Sequence, residues 1–205
     1  MADPAYISGT GALSVTEAWV ALASNEPDGT ASTVAFTDPS DGSSLDWCQF
    51  MDMVLISYAR GSRSGVAQEG FKLRLGTGAS AVDSGSNYGN QHVKSDGSSA
   101  SAAAYSDSGV FMGNFPAATA TANVFGVSII HLFDVNSGKY KSALNEVAVD
   151  LSGSGEVRAL SCTWFNEGPI NKMTIVEGNG TNIVAGSRFD LFGILPSMLT
   201  TATVA

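Results

Sequence analysis

The chain has 205 residues, enough for one domain of ordinary size or two cramped ones. Charged residues make up 14% of it while hydrophobic residues reach 44% and glycines number 23, proportions that exclude both a charge-laced helical bundle and a disordered chain. Its 19 acidic and 10 basic residues give a formal net charge of -9; no basic stripe points to nucleic acid, and the longest apolar runs, such as Met53–Ile56 and Val127–Leu132, are too short to span a bilayer.

Residues 1–20 lack a basic start followed by an apolar stretch, so no secretion signal is expected. Residues 1–13 and 197–205 read as terminal arms around a single domain over 14–196. Ser14–Ser24 is evenly balanced. Ser14 and Glu17 fit a helical capping box, whereas Val20-Ala21-Leu22-Ala23 runs into Asn25-Glu26-Pro27-Asp28-Gly29, a β-connection by its residues. Thr30–Thr37 alternates small or polar with apolar residues and ends at Asp38-Pro39, which predicts a strand and a turn. Met51–Ala59 is rich in β-formers. In Phe71–Leu75, Phe71, Leu73 and Leu75 take one face and Lys72 and Arg74 the other.

Residues 76–109 are the most polar stretch and too long for one loop in a compact domain, so two weak strands are expected around His92-Val93 and Ala102–Tyr105. Further strands are predicted over Val124–Phe133, Tyr140–Leu151, Val157–Phe165, Ile170–Val176 and Arg188–Leu195, separated by Gly-, Asn- and Pro-bearing turns. Turn signals every eight to fifteen residues indicate an all-β sandwich or barrel.

Cys48 and Cys162 both sit in apolar stretches and read as buried free thiols, with a disulfide as the alternative. Two cysteines cannot make a four-thiolate zinc site, and His92 and His131 are spaced like no zinc finger. His131, among Ile129, Ile130, Leu132 and Phe133, reads as a hydrogen-bonded core or interface residue. No nucleophile elbow, phosphate loop or dinucleotide fingerprint occurs. Asp46 with Asp52, and Asp134 with Glu146 and Asp150, are the carboxylate groupings available for acid–base work, but each lies near a strand end where carboxylates cap turns. Asp83, Asp96 and Asp107 lie in Gly/Ser-rich loops without the spacing of a calcium loop. The reading is therefore no catalytic residue, no cofactor and no metal. Trp47, Phe50, Trp164, Phe165, Phe189 and Phe192 are expected in the core. Tyr88 and Tyr105, in the polar middle region, either anchor loops or contact a partner.

In the C-terminal third, Ile170-Asn-Lys-Met-Thr-Ile-Val176 is followed by Gly178-Asn-Gly-Thr-Asn-Ile-Val-Ala-Gly-Ser-Arg-Phe-Asp-Leu-Phe-Gly-Ile194. This resembles a pattern in small virion proteins of tailed bacteriophages, where an I-x-x-I strand leads through a Gly/Asn loop to F-x-A-G-S-x-F-x-L-Y-G. The segments His131–Lys141 and Thr163-Trp164 are compatible with the preceding strands, so the resemblance covers about residues 125–195. Met173, Ile183 and Phe192 depart from the pattern, all within apolar chemistry.

The resemblance implies a jelly-roll-like antiparallel β-sandwich, assembled as a homotrimer on the virion. It does not fix the place on the particle: the chain's length and the lack of a separate anchoring segment set the expectation of a capsid decoration or cement protein contacting the major capsid protein, and the alternative is a receptor-binding tail or head-fibre module contacting host surface glycans. A depolymerase is disfavoured, because no long repeat is present. In the last strand Phe189, Leu191, Gly193 and Leu195 share one face and Arg188, Asp190, Phe192 and Ile194 the other. Phe192 and Ile194, with Tyr88 and Tyr105, are thus the candidate interface residues.

Overall fold

The computed structural model describes residues 19–43, 45–78, 81–151 and 153–195; the predicted arms 1–13 and 197–205 lie outside them. Strands β1 (Trp19–Asn25), β2 (Thr33–Thr37), β3 (Asp52–Ala59), β4 (Gln68–Gly76), β5 (Tyr88–Ser95) and β6 (Ala100–Asp107) occupy the first half. Strands β7 (Val110–Pro116), β8 (Gly126–Phe133), β9 (Lys141–Asp150), β10 (Gly155–Trp164), β11 (Lys172–Glu177) and β12 (Arg188–Ile194) follow. Among the described residues the one helical piece is a single 3-10 turn, Trp47–Gln49. The balance over Ser14–Ser24 resolves to strand from Trp19 onward. Strand β7 has no counterpart in the sequence-based expectation.

All strand pairings are antiparallel and form two unequal sheets. The larger has eight strands in the order β1-β12-β3-β8-β9-β10-β5-β6, and the smaller has four in the order β2-β11-β4-β7. The fold is the expected jelly-roll-like β-sandwich with one sheet extended. The β8-β9-β10 meander and the β5-β6 hairpin supply the extension.

Alternation decides which side chains meet between the sheets. Across the large sheet, Leu191, Leu55, Ile130, Asn145 and Leu160 stand in one cross-strand row. Across the small sheet, Phe36, Met173 and Leu75 form one row, and Val34, Ile175, Leu73 and Val110 the next. Apart from Asn145 these are apolar and buried, and all of them but Leu160 join Phe71, Phe115, Trp164 and Phe189 in one continuous core. Asn145 is accommodated because its amide donates to the Phe111 carbonyl and its oxygen accepts from Ser128.

Two of the buried cations are spent on backbone carbonyls. The Arg60 guanidinium, 8% exposed, donates to the carbonyls of Ala117, Ala120, Thr121 and Val124, so one side chain pins the whole β7–β8 connection. The Lys141 ammonium is capped by the carbonyls of Ser137, Lys139 and Glu167. Asp38 gathers Trp47 N–H, Ser40 and the Asn171 amide. Gly186 takes a φ of +89° in the turn before β12, a conformation costly for other residues. The neighbouring Ser187 hydroxyl accepts the Arg60 N–H across the structure.

Strand β12 lies between β1 and β3, with Phe189 and Leu191 fully buried. Truncating Phe189 to alanine is therefore expected to cost about 3–5 kcal/mol through lost burial and the remaining cavity. Chemical denaturation of the Phe189→Ala variant measures this, and a loss below 1 kcal/mol would contradict the packing described.

Candidate interaction face and the polar groups around it

The outward faces of the two sheets differ in chemistry. The small sheet turns Lys72, Arg74, Lys172, Thr174, Thr33 and Thr37 outward, an ordinary solvated surface. The large sheet does the opposite. Across β8, β9, β10, β5 and β6 the outward positions are dominated by Val, Ile, Leu, Ala and Ser, and Glu146 and Asp150 are the only charged residues among them.

Of the ten large hydrophobic residues that are exposed among the described residues, seven project from this outer face. Val157 is 66% exposed, Val93 60% and Leu144 54%, with Ile129, Val127 and Tyr58 beside them. Val127, Ile129, Ala148, Val157 and Ala159 line a shallow depression of about 390 Å³. A continuous apolar field of this kind marks an interaction surface more often than a solvated one. Glu146 stands inside the field, so any occupant must offer it a cation or leave it in contact with water.

The four candidate interface residues divide. Phe192 and Ile194 lie on this outer face at its β12 margin, both half-buried, with Phe192 6.0 Å from the Trp19 ring. Tyr105 is half-buried on β6, edge-on to His92 on the opposite face of the same sheet. Tyr88 is a correction. It is fully buried, stacked on Trp164 at 6.0 Å, and its hydroxyl accepts the Leu75 N–H at 2.9 Å and donates to the Asp83 carbonyl at 3.1 Å. It anchors the loop before β5 and cannot stack on a ligand. Phe165 is a second correction: it follows buried Trp164 by one residue, points the other way, and is 49% exposed against Tyr140.

Asp46, Asp52, Asp83, Asp96 and Asp107 hold structure. Asp46 caps the 3-10 turn by accepting the Cys48 and Gly42 N–H groups, and Asp52 accepts the Asp134 N–H. Asp83 accepts from Trp164 Nε1 and Asn87, Asp107 pairs with Lys72 at 2.6 Å, and Asp96 closes the β5–β6 turn through Ser98 and Ser99. The Cys48 thiol together with the Cys48 and Gly42 N–H groups holds the Asp46 carboxyl below the ordinary range, and the Ser98 and Ser99 hydrogen bonds do the same for Asp96. Asp83, Asp96 and Asp107 thus serve three separate places. Among the described residues no three His, Cys, Asp or Glu side chains converge as a metal-holding cluster.

Both cysteines are free thiols, but only Cys162 is buried; its pKa is pushed up to about 12 by burial. Cys48 is exposed, contrary to the expectation for its apolar neighbourhood, and its hydrogen bond to Asp46 raises its pKa too. Neither is an activated nucleophile. His131 stacks on Phe133 at 4.0 Å with Nε2 3.4 Å from an Asp52 oxygen, at the β3–β8 side of the outer face.

Two charged groupings inside the sandwich went unforeseen. Arg158 and Glu156 form a buried pair at 2.8 Å where the small sheet ends, with Phe111 under the guanidinium and Asn114 donating to Glu156. Glu69 and Glu177 meet at the other grouping, both buried and facing inward from adjacent strands. Glu177 accepts the N–H groups of Asn179 and Thr181, while Glu69 accepts the Thr181 hydroxyl and, weakly, the Arg63 N–H. Burial first, and then the shared hydrogen bond and charge of Glu177, push the Glu69 pKa up to about 7.

No protein-family model matches this chain, and comparison with curated proteins and with solved structures likewise gives no match.

The Glu69–Glu177 pair makes stability depend on pH with a definite sign. The folded protein keeps a proton on Glu69 up to about 7, where the unfolded chain has already lost it. This contribution is complete at acid pH and is lost as pH rises from the ordinary carboxylate range through about 7. His92, held low by burial, has the opposite sign in this range but is common to parent and variant. Glu69→Gln, which still donates to Glu177, should therefore gain thermal stability relative to the parent between about pH 5 and pH 8. Melting curves that stay parallel over that range would contradict the shared proton.

Proposed function

We propose that this chain is a non-enzymatic structural protein of a bacteriophage particle: a capsid decoration or cement protein that assembles as a homotrimer and seats on the major capsid protein. The observation that carries the reading is the apolar outer face of the large sheet, opposite a small sheet with an ordinary polar surface. A self-contained monomer gains nothing from exposing Val157, Leu144 and Ile129 on one face; an assembled subunit gains hydrophobic burial from each. Closed symmetry is the common solution for identical chains, and the C-terminal resemblance supplies the trimer and the virion. Phe192 and Ile194 continue the same face toward β1, so one contact can take in both margins.

Absence of catalysis belongs to the same proposal. Asp46 and Asp52 are engaged in a turn and at a strand end, and both thiols are held above their ordinary pKa. The receptor-binding alternative loses one of its two tyrosines to the core, leaving half-buried Tyr105.

Sedimentation equilibrium of the parent and of a Leu144→Glu/Val157→Glu variant tests the contact. Both positions are exposed in the single chain, so the variant should fold, and its mass should fall to one third of the parent's. A parent that sediments as 21.0 kDa chains at tens of micromolar, or a variant of unchanged mass, would contradict the proposal. Gel densitometry of the particle supplies the second arm: hundreds of copies per virion are expected for a capsid position, and a few to tens would place the protein on the tail.

A further inference from the structure

Among the described residues the two sheets have four free edges, and three of them carry a device that discourages pairing. Strand β1 is bulged at Leu22, where its register against β12 shifts. Strand β2 is only five residues long. Strand β7 is bulged at Met112, with Gly113 at a φ of +103°, and ends in Pro116. Sheet edges left without such devices pair with other chains, which is why folded proteins blunt them.

Strand β6 is different. Its eight residues, Ala100-Ser-Ala-Ala-Ala-Tyr-Ser-Asp107, pair with β5 in unbroken register and contain no proline, lysine, arginine or bulge. The single charge, Asp107, is terminal and already paired with Lys72. Five successive residues, Ala100–Ala104, are exposed, so both faces as well as the edge are open.

We infer that the free edge of β6 pairs antiparallel with β6 of a second copy of this chain, joining two large sheets into one. The strand's own chemistry selects this occupant. A two-fold axis through Ala103 keeps outward residues opposite outward ones and sets Ala102 against Ala104, Ser101 against Tyr105 and Ala100 against Ser106. No like charges oppose, and the small side chains let both backbones approach without obstruction. The same axis brings two apolar outer faces side by side. The inference does not depend on the virion reading or on the trimer.

The test uses charge at the opposed pair. In Ala102→Lys/Ala104→Lys, each lysine at position 102 opposes one at position 104 of the other copy; in Ala102→Lys/Ala104→Glu, the same positions attract. The parent should be an even-numbered assembly by native mass spectrometry, a hexamer where the outer face also forms trimers and a dimer where it does not. The double-lysine variant should have half the parent mass and the lysine–glutamate variant the full mass, all three with the same strand signal by circular dichroism. A reduction to one third would place the effect on the outer face and overturn the edge pairing. So would an odd-numbered parent, an unchanged mass in the double-lysine variant, or a lysine–glutamate variant that behaves like it. Loss of thermal stability without a change in mass would mean that the edge is covered within its own chain, and would also overturn it.

Discussion

An eight-stranded sheet packed against four strands buries one of its faces and leaves the other without cover among the described residues. Everything distinctive about this protein follows from that inequality. The inner face is closed by the small sheet, by the 3-10 turn around Trp47 and by the β7–β8 connection that Arg60 holds in place. The outer face alternates with it strand by strand, and period-two geometry means that its residue types are an independent choice of the sequence. That choice is apolar. The small sheet, equally free to expose anything, exposes lysine, arginine and threonine.

The scarcity of charge has a second side. Arg60, Lys141 and Arg158, three of only ten basic residues, are withdrawn into the fold, two to satisfy backbone carbonyls and one to pair with Glu156. Asp38, Asp46, Glu69, Glu156 and Glu177 are buried as well, so charge of both signs is withdrawn from the surface. Buried charges with complete sets of partners fix loop geometry, because removing one partner strands the rest without water. Surface charge is consequently sparse where the large sheet presents its outer face, and the edge strand β6 has none to repel a neighbour except at its last residue.

Much of the fold was legible because alternation is a local signal. Lys141–Asp150 and Arg188–Ile194 bury every second residue, and Phe71, Leu73 and Leu75 face the core as their spacing requires. Strand β7 was not legible: a mid-strand glycine at positive φ, the extra residue Met112 and a terminal proline break the period that reveals a strand. Tyr88 misled because its neighbours are Gly, Asn and Ser, although the partner that buries it, Trp164, arrives from a strand far along the chain. The same holds for Glu69 with Glu177 and for Arg60 with its four carbonyls, since spatial convergence leaves no local pattern. The apolar outer face was half visible. Phe192 and Ile194 marked its margin, whereas its centre became apparent only when the register set Val157, Ala148 and Val127 in one row.

The central claim is that the outer face of the large sheet is covered when the protein is in its working state. Hydroxyl-radical footprinting of the native assembly, normalised for the intrinsic reactivity of each residue type, reads this directly. Leu144 at 54% exposure and Tyr140 at 53% are equally accessible in the single chain, but only Leu144 lies within the apolar field. Strong protection of Leu144, Val157 and Ile129 beside full modification of Tyr140 is the predicted result. Modification of all four in proportion to their single-chain exposure would contradict it.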